Sequence, residues 1–293
     1  MVSVKKKQIG KQKYYYLEYS FREGKKVLTK EKYLGKELPK NVEELKRDFL
    51  EKIQKDKWEP LLGKIKKNYS KESRTIPQEI KKKNLKSFAV RFTYDSQRIE
   101  GSTLTLRETS NLLEKGIAPR KSLEDIKEAE SHEKVFYDMF ECKKKLSLSL
   151  VLYWNKLLLG QTKQEIAGQI RKHQVLISGS KFVPPLPVEV DLLLREFFKW
   201  YNKNKEKVHP VELAALTHLK FVTIHPFGDG NGRISRIMMN FVLHNYKFPL
   251  YDVAYENRSS YYHALERSQV KKDDSIFVQW FLKRYVKEYK RYL

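Results

Sequence analysis

A single cysteine, Cys142, in a chain of 293 residues leaves no partner for an internal disulfide and no cysteine cluster for a metal. Long apolar runs are missing too. No stretch of 18 or more uninterrupted apolar residues occurs, so no transmembrane helix is expected. The opening stretch, MVSVKKKQIGKQKYYY, is basic but has no apolar signal region, which sets the expectation of a cytoplasmic protein with no membrane partner. Acidic residues are the minority, 36 against 60 Lys and Arg, for a formal net charge of +24. Such a charge raises nucleic acid as a partner. The lysines are nevertheless spread along the chain, as in KEKVHP and KRYVKEYKRYL. Lys- and Glu-rich surfaces almost free of cysteine also accompany heat adaptation.

Hydrophobic residues make up 40% and aromatics 13%, ample for a core, and the length suits one large domain or one with a small appendage. Residues 13–35 read as a β-hairpin. YYYLEYSF places Tyr15, Leu17, Tyr19 and Phe21 on one face, REGK supplies a turn bending at Gly24, and VLTKEKYLG returns to Gly35. A lone hairpin is marginal, so it must dock or gain strands. From NVEELKRDFL onward the spacing is helical, with Leu45, Phe49, Ile53 and Trp58 in phase and Pro39 and Pro60 as punctuation. KKKNLK leads into the helix SFAVRFTYDSQRIEG, which Gly101 closes. Thr105 and Glu108 suit a capping box for the next helix, ended by Gly116, and two further helices each begin at a serine. QVLI and KFV around SGS read as a second hairpin ending in a double proline. HPVELAALTHLKFVTI is apolar on nearly every side and predicts a buried central helix. It stops at His225, because Pro226 disfavours helical geometry in the residue before it. NGRISRIMMNFVLHNY starts a second apolar helix. The expected body is mainly α, with two hairpins.

The stretch between these two helices, HPFGDGNGRISR, concentrates unusual chemistry in residues 225–236. Gly230, Asn231 and Gly232 stand where the second helix begins. Glycine permits close backbone approach, and a helix N-terminus offers free N–H groups and positive potential, which together suit an anion. Arg233 and Arg236 are three apart and share a helix face beside it. Two arginines argue for more than one phosphate. Asp229 next to a polyphosphate is explained as a ligand to Mg²⁺, which takes few carboxylates and the phosphate oxygens themselves. A neutral imidazole at His225 can accept a proton from an attacking hydroxyl. Each piece alone is commonplace, since a histidine before proline often just ends a helix and GNG is often just a turn. Their conjunction within twelve residues carries the inference. The pattern is neither the P-loop nor the dinucleotide-binding fingerprint, as it follows a helix and lacks Gly-Lys-Ser/Thr.

The same residues resemble the signature of the Fic family, His-x-Phe-x-Asp/Glu-Gly-Asn-Gly-Arg-x-x-Arg, at every fixed position. IEGSTLTLRE, HPVELAALTHLKFVTIHPF and NRSSYYHALE are similar to further stretches of Fic domains, and the likeness covers roughly residues 90–290. The resemblance implies a Fic-type helical core with a β-hairpin flap, and a protein adenylyltransferase that moves AMP from ATP onto a Ser, Thr or Tyr hydroxyl and releases pyrophosphate. It implies His225 as the base, Phe227 as a core anchor of the loop, and Asp229 as the Mg²⁺ ligand. Gly230, Asn231 and Gly232 would form the phosphate nest, with Arg233 at the β-phosphate and Arg236 at the γ-phosphate. Relatives that act as kinases carry lysine where this chain has Gly232, which favours nucleotidyl transfer. The segment 174–183 resembles the flap that pairs with a target protein's backbone, and Val175, Leu176, Ile177 and Ser178 would cover the nucleotide. Tyr261 and Tyr262 resemble an adenine-pocket pair. Gln269 replaces the asparagine that many relatives carry eight residues after the first tyrosine, so its contact with adenine is left open.

SQRIEG fits the family's inhibitory motif, Ser/Thr-x-x-x-Glu-Gly/Asn, with Ser96, Glu100 and Gly101. Ser96 and Glu100 share a helix face. The resemblance implies that Glu100 pairs with Arg236, the second arginine of the signature, so that ATP binds unproductively. Self-modification is expected along with transfer to a target. The expected organisation is an appendage over 1–40, a helical region with the inhibitory helix over 41–104, and a Fic core over 105–293. Two alternatives stay open: an AMP-removing or other-nucleotide transferase on the same core, or a nucleic-acid-binding regulator built on a silenced one.

Overall fold

A computed structural model describes residues 2–23 and 26–293. The chain forms two compact units, Met1–Gly63 and Lys64–Leu293. In the first, β1 (Ser3–Ile9), β2 (Gln12–Glu23) and β3 (Lys26–Gly35) make an antiparallel sheet in sequential order. The expected hairpin is therefore three-stranded, and β1 is the strand it gains. The turn expected at Gly24 lies outside the described residues. Leu17, fully buried, packs with Val2, Phe49 and Ile53, and Tyr19 and Phe21 border the cluster. Phe49 and Ile53 belong to α1 (Val42–Thr75), whose early turns close this small core. On the sheet Lys5 pairs with Glu18 at 3.6 Å and Lys7 with Glu31 at 2.7 Å, so its charge is mixed in sign.

Pro60 does not end α1 but lies inside it. An interior proline costs about 3 kcal/mol. Trp58, Leu62 and Ile65 are all buried around it and hold the helix on course.

The regular elements of the second unit are all helices. Its elements are α2 (Gln78–Ile99), α3 (Leu106–Lys115), α4 (Leu123–Glu141), α5 (Leu148–Leu159), α6 (Pro187–Asn204), α7 (Pro210–Ile224), α8 (Asn231–Asn245), α9 (Arg258–Lys271) and α10 (Asp274–Glu288). α2 starts at Gln78, so the lysine-rich stretch lies within it rather than ahead of it, consistent with lysine's good helix propensity. Thr105 and Glu108 form the expected capping box of α3, and Ser122 and Ser147 cap α4 and α5. α7 and α8 pack against each other at the centre, and both are lined with buried apolar residues. α4, α5, α6, α2 and α10 surround them. No helix among the described residues is long and apolar enough to cross a membrane.

The second expected hairpin is not a ladder. Residues 171–186 contain no strand, only a turn in which Ser180 N–H donates to Ile177 O at 3.1 Å. Gly179 has φ 74°, as the third position of a type II turn requires. Pro184 and Pro185 have no N–H to give a ladder. Side chains hold the arms instead: Gln174 donates to Pro184 O at 3.0 Å, and Lys181 N–H donates to Glu266 Oε2 at 2.9 Å.

Candidate active site

The site is built where α7 ends and α8 begins. His225 closes α7 in left-handed geometry, φ 51° and ψ 58°, and its N–H still donates to Phe221 O at 3.1 Å. Its Nδ1 lies 3.2 Å from Val222 O. A carbonyl only accepts, so Nδ1 carries the proton and Nε2 keeps its lone pair. Burial lowers the imidazole pKa, with Arg171 adding to the effect, so the ring is neutral at pH 7.

The loop after His225 is pinned to the core. Phe227 is buried against Phe221, and the Asn231 side chain spans the loop in both directions. Phe227 N–H donates to Asn231 Oδ1, and Asn231 Nδ2 donates to Phe227 O, each at 2.9 Å. Asn231 thus shapes the nest with its side chain, leaving only backbone for a phosphate. Gly230 is the N-cap of α8 at φ 81°. A Cβ there would meet Asn155 Nδ2 at 3.0 Å and Leu158 Cδ2 at 3.2 Å, so glycine is required on two counts. Asn155 donates to Asp229 O at 3.1 Å and accepts from Gly168 N–H at 2.8 Å, tying α5 to the loop.

Asp229 is surrounded by cations. Its Oδ2 accepts from Lys163 Nζ at 2.6 Å and its Oδ1 from Arg233 Nη2 at 2.8 Å. Burial pushes its carboxyl up, but Arg233 and then Lys163 outweigh this and hold its pKa below the usual carboxylate value. Arg233 is buried and also bonds Glu128 and Gln97 Oε1, the latter at 3.2 Å. A buried cation needs paired anions, and besides Asp229 these partners of Arg233 come from α4 and α2.

Arg236 is met by α2. Its Nε donates to Ser96 Oγ at 2.8 Å and its Nη2 to Ser96 O at 3.0 Å and Glu100 Oε1 at 2.7 Å. Burial works against the charge of Arg236, but the Glu100 carboxylate outweighs it and raises the pKa. A Cβ on residue 232 would collide with Glu100 Oε1, so this carboxylate rests on the nest at the α8 N-terminus. Gly101, at φ 104°, lets the chain turn away directly after Glu100.

The tyrosine pair divides. Tyr261 is buried beneath Arg236, accepting from its Nη1 at 3.3 Å and lying 2.9 Å from His218 Nε2. Its hydroxyl therefore donates to His218, whose pKa burial pushes down to about 3. Tyr261 thus supports the arginine from below. Tyr262, 46% exposed, donates to Ile99 O. Gln269 Nε2 donates to Thr223 Oγ1 at 3.2 Å on the last turn of α7. Of the loop residues expected over the nucleotide, Leu176 and Ser178 are exposed and Val175 and Ile177 half-buried.

Arg171 joins this loop to the one that begins at His225, and nothing in the sequence marked it. Buried, it donates from Nε to His225 O at 2.8 Å, from Nη1 to His173 O at 3.1 Å and from Nη2 to Pro185 O at 2.6 Å. Its N–H donates to Pro226 O at 2.9 Å.

The donor set bears on a metal. Among the described residues no group of three or more His, Cys, Asp or Glu could hold one unaided. Asp229, 31% exposed, is the carboxylate on the loop that leads into the glycine nest. That fits Mg²⁺, which keeps one or two carboxylates and completes its shell with phosphate and water.

A left-handed histidine, a glycine nest at a helix N-terminus and a buried arginine thus stand together where α7 gives way to α8. Residues 145–243 match the Fic/DOC family. The chain is 30% identical to a Fic-domain signalling protein from Bacteroides thetaiotaomicron, covering 78% of this chain and 94% of that one with a TM-score of 0.70. It belongs to the Fic family. Protein adenylyltransferase Fic of Drosophila virilis is 36% identical over 183 residues, 59% of this chain and 36% of that protein. The namesake from Nematostella vectensis is 32% identical over 237 residues, 79% and 52%. The chain thus spans about a third to a half of the curated relatives it matches.

Proposed function

We propose that this chain is an autoinhibited protein adenylyltransferase, moving AMP from ATP to a hydroxyl of a target protein and to itself. The observation that carries the reading is the juxtaposition of a neutral His225, its Nε2 unprotonated, with the backbone nest of Gly230–Gly232 at the α8 N-terminus. Nε2 takes the proton from the attacking hydroxyl, whose oxygen forms a bond to the α-phosphorus as the bond to pyrophosphate breaks. The N–H groups at the α8 N-terminus stabilise the charge that develops on the phosphate oxygens. Asp229 would hold Mg²⁺, which would neutralise phosphate charge. Arg233 keeps Asp229 ionised and oriented. The segment 174–183, which pairs with no strand, would offer its backbone to an extended target.

Inhibition rests on Glu100. Its carboxylate occupies Arg236 and lies where a polyphosphate would approach. Two like charges 4 Å apart cost about 4 kcal/mol at an effective dielectric of 20. ATP then binds without its γ-phosphate on Arg236.

The test is mass spectrometry after incubation with ATP and Mg²⁺, looking for added AMP on the protein and on lysate proteins. His225→Ala should bind ATP nearly as the parent does and transfer no AMP. Undiminished transfer by a folded His225→Ala variant would remove the histidine from the reaction.

A further inference from the structure

Lys163 stands in the turn after α5 and has no role in the signature. Its Nζ lies 2.6 Å from Asp229, 2.9 Å from Glu124 and 3.1 Å from Glu128. Burial works to lower its pKa, but the bonds to Asp229 and Glu124 outweigh that, so it remains a full cation. Both oxygens of Asp229 are therefore taken, yet they are not equally held. Oδ1 is bound by Arg233, whose side chain is 2% exposed and shares its other bonds with Glu128 and Gln97. Oδ2 is bound by Lys163, whose side chain is 33% exposed and has two further carboxylates within reach. Arg233 has nowhere to go, whereas an ammonium on a flexible four-carbon stem can swing. Oδ2 is the one oxygen of Asp229 that can be vacated.

We propose that Lys163 is a tethered cation that competes with the divalent metal for Asp229, and that Glu124 and Glu128 receive its ammonium when it leaves. The inference rests on the reading of Asp229 as a metal ligand. It makes Lys163 a positioning residue that sets how readily metal and nucleotide load together. A bare divalent ion gains one carboxylate and must displace an ion pair. An ion arriving with phosphate oxygens gains both, and the displaced lysine keeps its acidic neighbours.

The test is binding of Mn²⁺ in the presence of ADP, followed by the electron paramagnetic resonance of free Mn²⁺. It compares the parent with Lys163→Met, Glu124→Gln and Asp229→Asn. Lys163→Met should bind Mn²⁺ about fivefold tighter, the factor to which ~1 kcal/mol of a partly exposed ion pair amounts. Glu124→Gln removes a refuge for the ammonium and should bind more weakly than the parent. A lysine that only supported the fold would give weaker binding when removed, the opposite sign. Binding by Lys163→Met no tighter than the parent's, while Asp229→Asn loses Mn²⁺, overturns the competition alone. Parent-like binding by Asp229→Asn overturns the metal assignment and the competition with it.

Discussion

His225 shows how one residue takes its chemistry from backbone geometry. Left-handed φ and ψ at the end of α7 turn its ring back so that Nδ1 meets Val222 O, which leaves the lone pair on Nε2. Burial lowers its pKa, so the acid limb of the transfer rate should fall below the ordinary imidazole value of about 6.5. The sign follows from the required form: the neutral ring is the base, and activity is lost as pH falls through the lowered pKa. A pH profile of AMP transfer at saturating ATP measures it, and a midpoint above 6.5 would contradict the burial argument. The residues of the signature were legible because the chemistry is contiguous and each type is rare in that company. Glu128, Lys163, Arg171 and Asn155 were not. Each is a common residue in ordinary surroundings, and only the packing of α4 and α5 against α8 brings them to Asp229 and the loop. Tyr261 and Tyr262 were legible as a pair but not in their division, which depends on His218 and Arg236 lying on one side of them.

At the scale of elements, side chains replace ladders around the site. The segment 172–186 is held by Arg171, Gln174 and Glu266, and the guanidinium also holds the backbone of His225. Arg171→Ala should leave the part-buried carbonyls of His225, His173 and Pro185 without that donor, each costing about 1 kcal/mol. Hydrogen exchange within 172–186 should quicken and AMP transfer should fall, while exchange in α8 stays slow. Unchanged exchange in that segment would show that other contacts hold it. Helix ends were read well where a local device sets them, as with the capping box of α3 and the serine caps of α4 and α5. Pro60 in α1 and the ladder expected over 174–183 were misread for a shared reason. Local propensity marks a break or a strand, and distant partners decide whether it forms: burial around Pro60, and the anchors of Arg171, Gln174 and Glu266 on the loop.

At the scale of the whole molecule, the second unit gathers one helix into opposition with its own site. α2 packs against α8 so that Ser96 and Glu100 close on Arg236, and the C-terminus of α2 lies over the nest. The short motif SQRIEG announced this contact, whereas the burial of Arg236 beneath it and the support from Tyr261 came from tertiary packing. The account stands on the claim that Glu100 holds a competent site in check. It is tested by incorporation of AMP labelled at the α-phosphate, at equal ATP, into the parent, Glu100→Gly, and Glu100→Gly combined with Arg236→Ala. Removing the carboxylate should raise incorporation at least about tenfold, which needs only ~1.4 kcal/mol of the roughly 4 kcal/mol of repulsion to be relieved. The double variant should fall back, because the freed arginine is what orients the nucleotide. Incorporation by Glu100→Gly no higher than the parent's would contradict the account.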